Sequence, residues 1–157
     1  MEKQKRTRVR AIIFHNEQIV SMYRELNDRS FYTFPGGGME QNETEEQCVK
    51  REVFEEFGII IKPIKKVYVY ENQISIEHFY ICQWQSGEFA TGNGEEYQQG
   101  QTNGVYKPTT LNITDLPTLP LMPPEVTTAF FDDYKTNGKN LRNDVKFLKA
   151  KNNWLWG

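Results

Sequence analysis

The chain has 157 residues and a formal net charge of -2, with 38% hydrophobic and 25% charged residues. Length and composition are those of a globular protein, and we expect residues 1–157 to form a single domain. The nearly neutral charge excludes a general attraction to nucleic acid or to an anionic membrane. Any anion-binding site therefore has to be built locally.

Targeting signals are absent from the sequence pattern. No apolar run has the length of a membrane span, and the start MEKQKRTRVR lacks the apolar segment of a signal peptide. Without a secretory signal, Cys48 and Cys82 are expected to be free thiols. We expect a cytoplasmic protein that binds neither a membrane nor nucleic acid.

The first part of the chain predicts strands. Residues 9–24, VRAIIFHNEQIVSMYR, contain two apolar runs around a polar break at residues 15–18, which indicates a hairpin. FYTFPGGG, residues 31–38, is typical of an aromatic strand that is broken by proline and three glycines. A helix is predicted next.

The second part predicts a strand pair at residues 65–71 and 74–85, which are rich in β-branched and aromatic residues. Residues 86–104 are polar and glycine-rich and predict a long loop or an irregular strand end. Residues 105–113 predict a strand in which Pro108 marks a sheet edge or a bulge. Residues 123–138 start with proline and end with glycine, as a helix does. The tail with Trp154 and Trp156 fits no element clearly.

The helix in the middle of the chain has clear boundaries. Thr44 can cap its start, Gln47 completes a capping box, and Gly58 supplies a left-handed stop. These signals predict a helix from Glu45 to Phe57.

The last two turns of this helix carry Glu52, Glu55 and Glu56. Each anion at the negative end of a helix costs about 0.3–1 kcal/mol, so something must offset the cost. At the helical repeat the three carboxylates fall beside the apolar stripe, where they converge at the edge of the buried face. Converging carboxylates favour a hard cation with oxygen ligands, and magnesium fits best.

The glycines before the helix point to the same chemistry. Three glycines after Pro35 let backbone amides and carbonyls approach a ligand closely. A glycine loop followed by a glutamate-rich helix predicts a phosphate cradle beside a divalent cation.

The segment from Gly37 to Ile59 resembles the Nudix box: glycine, five residues, glutamate, seven residues, then Arg-Glu-aliphatic-any-Glu-Glu-any-Gly-aliphatic. Every defined position is filled, by Gly37, Glu43, Arg51, Glu52, Val53, Glu55, Glu56, Gly58 and Ile59. Asn42 stands where many members have glycine, and asparagine tolerates the left-handed backbone of that turn.

The resemblance implies an α/β (α+β) fold, a Nudix-type α/β/α sandwich with a mixed β-sheet flanked by helices. It also implies hydrolysis of a nucleoside diphosphate linked to another moiety, with Mg²⁺ or Mn²⁺ as cofactor. The intact glutamate set argues against the alternative, a Nudix-fold module that senses a nucleotide without cleaving it. Many members are dimers, so a homodimer is one assembly that the resemblance allows.

The same resemblance implies roles for residues. The implied metal ligands are Glu52, Glu55, Glu56, the carbonyl of Gly36 and, from the later loop, Glu96 in preference to Glu95. Glu52 is instead the water-activating base in some members. Glu43 would assist catalysis through a salt bridge to Arg51, or by supporting the metal ligands without binding the metal itself.

Substrate contacts are expected from the backbone of Gly37 and Gly38 and from Arg24, which either faces the phosphates or is a solvated strand-end residue. Four aromatic residues could stack a base but are more often core: Phe14, Tyr32, Phe34 and Phe79. The sequence signatures of the ADP-ribose, dinucleoside polyphosphate and NADH subfamilies are missing downstream of the box. Their absence favours a nucleoside triphosphate or a similar small nucleotide as substrate.

Overall fold

The computed structural model describes residues 4–89 and 104–151. Its strands are β1 (Arg6–His15), β2 (Gln18–Leu26), β3 (Arg29–Thr33), β4 (Gly36–Gly38), β5 (Ile59–Glu71), β6 (Ser75–Gly87), β7 (Val105–Asn112), β8 (Leu121–Met122) and β9 (Lys146–Lys149). The helices are α1 (Glu45–Phe57) and α2 (Pro124–Asn137), and short 3₁₀ segments cover Ile113–Thr118 and Gly138–Asn140.

The strands form a mixed sheet in the order β8-β3-β2-β1-β6-β5-β9, with β4 paired to β1 and β7 paired to β2. The pairs β1–β6, β3–β8 and β5–β9 are parallel, and the other pairs are antiparallel. The predicted mixed sheet is confirmed.

The two helices cover opposite faces of this sheet. Ile12 and Ile13 are neighbours on β1 and therefore point to opposite faces. Ile12 packs in the apolar cluster that contains Phe130 of α2, whereas Ile13 packs in the cluster that contains Val53 of α1. The predicted arrangement of a sheet between helices is confirmed.

Local signals in the sequence define most boundaries correctly. Thr44 and Gln47 form the capping box of α1, and Gly58 ends the helix with a φ of 73°. The strands β1 and β2 form the predicted hairpin, and Asn42 is left-handed with a φ of 66°. In the described part of the chain β7 pairs only with β2, so Pro108 does lie on an edge strand.

Two boundaries differ from the prediction. Strand β5 begins at Ile59, directly after α1, and passes through Pro63. Proline has no N–H to donate, and the pairing of β5 with β6 shifts register between Pro63 and Lys65, which accommodates it. The tail contributes β9, but Trp154, Trp156 and most of the predicted loop at 86–104 lie outside the described residues. None of the described helices has the length and apolar character needed to cross a membrane.

Candidate active site at the glycine strand and helix α1

The glycine strand β4 lies between β1 and helix α1. Gly36 pairs with Arg10 and Gly38 with Arg8 across the antiparallel ladder. Gly36 has a φ of 139°, and a Cβ there would lie 2.0 Å from the carbonyl oxygen of Val9. Only glycine fits at this position, so the loop predicted from its glycines is held against β1 by close backbone contact.

Two of the helix carboxylates lie against adjacent glycines of β4. A Cβ on Gly37 would lie 2.6 Å from the carboxyl carbon of Glu52, so Glu52 occupies the space that a side chain would need. The backbone N–H of Gly36 donates a hydrogen bond of 3.3 Å to Oε1 of Glu56. Burial raises the pKa of the Glu52 carboxyl above its ordinary value, since only 19% of this side chain is exposed.

Arg51 connects the start of the box to its acidic end. Its guanidinium contacts both oxygens of Glu43, at 2.7 and 3.0 Å, and donates to the carbonyl of Gly38 at 3.1 Å. The same side chain lies 3.1 Å from Glu52 and 3.5 Å from Glu55. The hydrogen bonds from Arg51 lower the pKa of Glu43 to about 2. Of the two roles offered for Glu43, the ion pair with Arg51 is the one present in the structure.

A divalent cation is compatible with the donors of this site. Among the described residues no three His, Cys, Asp or Glu side chains are gathered as a ready ligand set, and Glu55 points outward with 53% of its side chain exposed. Glu52 and Glu56 nevertheless share the glycine turn, and the available donors are oxygens, which Mg²⁺ and Mn²⁺ prefer. Burial raises the pKa of Glu52, and the nearby Arg51 acts in the opposite direction.

Arg10 is a site residue that the sequence analysis missed. It is buried on β1, donates to the carbonyl oxygens of Phe34 and Gly36 at 3.2 Å, and pairs with the buried carboxylate of Glu77 at 3.0 Å. Arg10 therefore fixes the carbonyl of Gly36, which the resemblance implies is a metal ligand. That oxygen has a second lone pair, so the contact does not prevent metal binding. An arginine inside an apolar strand was the signal that could have revealed it.

Arg24 is not a solvated strand-end residue, which was one of the two alternatives that the sequence left open. Its guanidinium stacks on the ring of Tyr106, 4.2 Å from the centroid, and also donates to the Tyr106 hydroxyl. Burial lowers its pKa, and Glu56 is near enough to favour the charged form. Within the described residues the buried Nε atom has no hydrogen-bond partner. Arg24 thus has an unused donor near the carboxylates.

The remaining candidates from the sequence are four aromatic residues, two cysteines and two loop glutamates. Phe34 and Phe79 are buried in edge-to-face contact and belong to the core, while Phe14 and Tyr32 pack partly buried against the same cluster. Cys48 and Cys82 are free and buried. Glu95 and Glu96 lie outside the described residues, so the expectation for the loop glutamate stays a prediction.

The chain matches the family model of the NUDIX domain over residues 4–120. The chain belongs to the Nudix family. Membership confirms the resemblance read from the box and assigns the reaction class, hydrolysis of phosphorus anhydrides. A comparison with curated proteins gives no match.

Solved Nudix structures have the same fold at low sequence identity. An ADP-ribose pyrophosphatase from Streptococcus suis is 19% identical with a TM-score of 0.60, and the match covers 94% of this chain and 100% of that one. A Nudix hydrolase from Nitrosomonas europaea is 13% identical with a TM-score of 0.72, over 96% and 81% of the two chains. A MutT protein from Methanosarcina mazei is 18% identical with a TM-score of 0.60, over 88% and 99%.

Proposed function

We propose that this Nudix protein is a Mg²⁺- or Mn²⁺-dependent hydrolase. It cleaves the pyrophosphate bond of a nucleoside diphosphate linked to another moiety, and a nucleoside triphosphate or a similar nucleotide is the proposed substrate. The observation that carries this proposal is the placement of Glu52 and Glu56 against Gly36 and Gly37. Carboxylates and close backbone groups meet there, as binding a metal–phosphate complex requires.

The proposed metal ligands are those that the box implies: Glu52, Glu55, Glu56, the carbonyl of Gly36 and, outside the described residues, Glu96. When bound, Mg²⁺ or Mn²⁺ supplies charge compensation on the phosphate oxygens and lowers the pKa of a bound water. A dication held by Glu52 and Glu55 would compete with Arg51, because Arg51 contacts the same two carboxylates.

The remaining side chains position and balance this site. Arg51 holds Glu43 on one side and Glu52 on the other, which fixes the helix against the loop. Glu52 has a raised pKa and lies at the glycine turn, so it is also the candidate to accept a proton from the attacking water. Arg24 and the backbone of Gly37 and Gly38 are the proposed substrate contacts.

The test is metal-dependent release of phosphate or pyrophosphate from a panel of nucleoside triphosphates, nucleotide sugars and ADP-ribose. We expect turnover with Mg²⁺ or Mn²⁺ and none in excess chelator. Glu52→Gln should lose activity, whereas Glu46→Gln, an exposed residue of the first turn of the same helix, should retain it. Full turnover in excess chelator would contradict the metal mechanism.

The same panel separates catalysis from nucleotide sensing. Nucleotide binding by calorimetry without turnover under any metal condition would favour the sensing module instead. A single domain over residues 1–157, a cytoplasmic location and a homodimer stay predictions, and sedimentation velocity would test the last of these.

A further inference from the structure

Three arginines lie in a row on one face of β1. Arg6, Arg8 and Arg10 occupy alternate positions of the strand, so their side chains point to the same face at intervals of about 7 Å. Arg8 and Arg10 are the β1 partners of Gly38 and Gly36. The row therefore runs along one side of the glycine strand, and the carboxylates of α1 approach the same strand from the other side.

The three arginines differ in how their charges are compensated. Arg10 is buried and paired with Glu77, and Arg6 is exposed. Arg8 is half-buried, but within the described part of the chain it forms no hydrogen bond and no ion pair. Burial lowers its pKa, and the charge of Arg10 lowers it further. Arg8 is thus a partly desolvated cation between two like charges.

Glu77 is the residue beside Arg8 on β6, and its charge favours the charged form of Arg8, but its two oxygens accept hydrogen bonds from other residues. One oxygen of Glu77 accepts from Nε of Arg10 at 3.0 Å, and the other accepts from the Ser75 hydroxyl at 3.3 Å. Glu52 is near enough to favour the charged form of Arg8, but Glu52 makes its hydrogen bond with Arg51. The row keeps an excess of positive charge beside the glycine strand.

We propose that Arg8 binds the phosphate chain of the substrate, on the side of Gly38 opposite the carboxylates of α1. The inference rests on the proposed function and deepens it. A guanidinium presents a planar set of donors that can bind two phosphate oxygens at once. A chain of two or more phosphates is therefore a better ligand for Arg8 than an uncharged group. Arg24 lies near Glu56 and Arg8 near Glu52, so the two arginines flank the acidic site. Together they define a strip along which a polyphosphate can lie.

The test measures binding of inorganic tripolyphosphate by calorimetry at low salt without metal. Arg8→Gln should weaken binding by at least about tenfold, since a charge-assisted hydrogen bond is lost. The matched control is Lys62→Gln, which removes one positive charge from an exposed position of β5, a strand that does not pair with the glycine strand, and should weaken binding by less than about threefold. Arg8→Lys keeps the charge but loses the fork and should fall between the two.

Thermal stability gives an independent readout. Removing a half-buried cation without a partner should leave the Tm of Arg8→Gln equal to or above that of the wild type. Unchanged tripolyphosphate binding in Arg8→Gln, an equal loss in both glutamine variants, or no binding by the wild type would each overturn the proposal. If the wild type binds tripolyphosphate through Arg8 but hydrolyses no nucleotide, the proposed function fails while the anion site stands.

Discussion

Gly37→Ala is the substitution that tests the placement of Glu52 most directly. A Cβ at position 37 would lie 2.6 Å from the carboxyl carbon of Glu52 and 2.7 Å from both its oxygens. Ordinary contact begins at 3.4 Å, so the carboxylate must move by roughly 1 Å, and a displacement of that size costs about 10²-fold in rate. We expect kcat to fall by about this factor.

The fold should tolerate the same substitution. The backbone of Gly37 is not left-handed, and the atoms that the new methyl meets are the far end of a flexible side chain. We therefore expect the Tm of Gly37→Ala to stay within about 2–4 °C of the wild type, the shift that 1 kcal/mol gives in a chain of this size. Gly36→Ala would be a poor substitute, because its Cβ meets the backbone of Val9 at 2.0 Å.

Gly138→Ala is the matched control. Gly138 has a φ of 68°, a ψ of −150° and no heavy atom within 4 Å of its added Cβ, so alanine there brings backbone strain of about 1–3 kcal/mol and no clash. It should lower Tm modestly and leave kcat unchanged, which is the opposite pattern to Gly37→Ala. Phosphate release and differential scanning fluorimetry measure both quantities on the same samples.

A double-mutant cycle locates the cause. In a Glu52→Gln background, Gly37→Ala should lower the residual rate by less than about threefold, because the residue it displaces no longer carries the charge. A wild-type kcat for Gly37→Ala would refute the reasoning. So would a full, additive loss in the Glu52→Gln background, since the methyl would then act on something other than Glu52.

Two further predictions concern the other acids of the box. Glu56→Gln should lower kcat by more than about tenfold, because it removes the charge of a proposed metal ligand. The Tm should stay level or rise, because the amide oxygen can still accept a hydrogen bond from the N–H of Gly36 and an unfavourable anion is removed from the helix end. A large loss of Tm in scanning fluorimetry would instead assign Glu56 a structural role. Glu43 has an ordinary pKa of 4.5 and a pKa of about 2 in the fold, so its stabilising effect is complete above pH 4.5 and disappears as pH falls towards 2. The Tm advantage of the wild type over Glu43→Gln should therefore shrink across this pH range, and a gap that is constant with pH would show that the ion pair with Arg51 does not stabilise the fold.

The parts of the structure that the sequence predicted correctly depend on residues close together in the chain. The capping box of Thr44 and Gln47, the stop at Gly58 and the hairpin between β1 and β2 each involve neighbours within a few positions. The box itself is such a local pattern, because the helical repeat places Glu52 and Glu56 on neighbouring sides of one helix. Propensity and spacing are sufficient for features of this kind.

The missed features join residues that are far apart in the chain. Arg10 and Glu77 are 67 positions apart and meet because β1 and β6 pair in parallel. Arg24 and Tyr106 are 82 positions apart and meet through the register of β2 with β7. No local pattern specifies either pairing. The start of β5 was missed for a different reason, since Pro63 argues against a strand until the bulge that accommodates it is known.

The acids of α1 and the arginines of β1 are each unfavourable when considered alone. The acids stand at the negative end of a helix, and the arginines repel one another along a strand while Arg8 has no partner in the described residues. The glycine strand separates the two groups by the width of one backbone. Arg51 compensates part of the negative charge on α1, and Glu77 compensates part of the positive charge on β1. A metal–polyphosphate complex would offset both excesses at once, with its cation towards α1 and its anion towards β1. Since binding to the folded state raises apparent stability, the charge arrangement that weakens the empty site is the one that favours the loaded site.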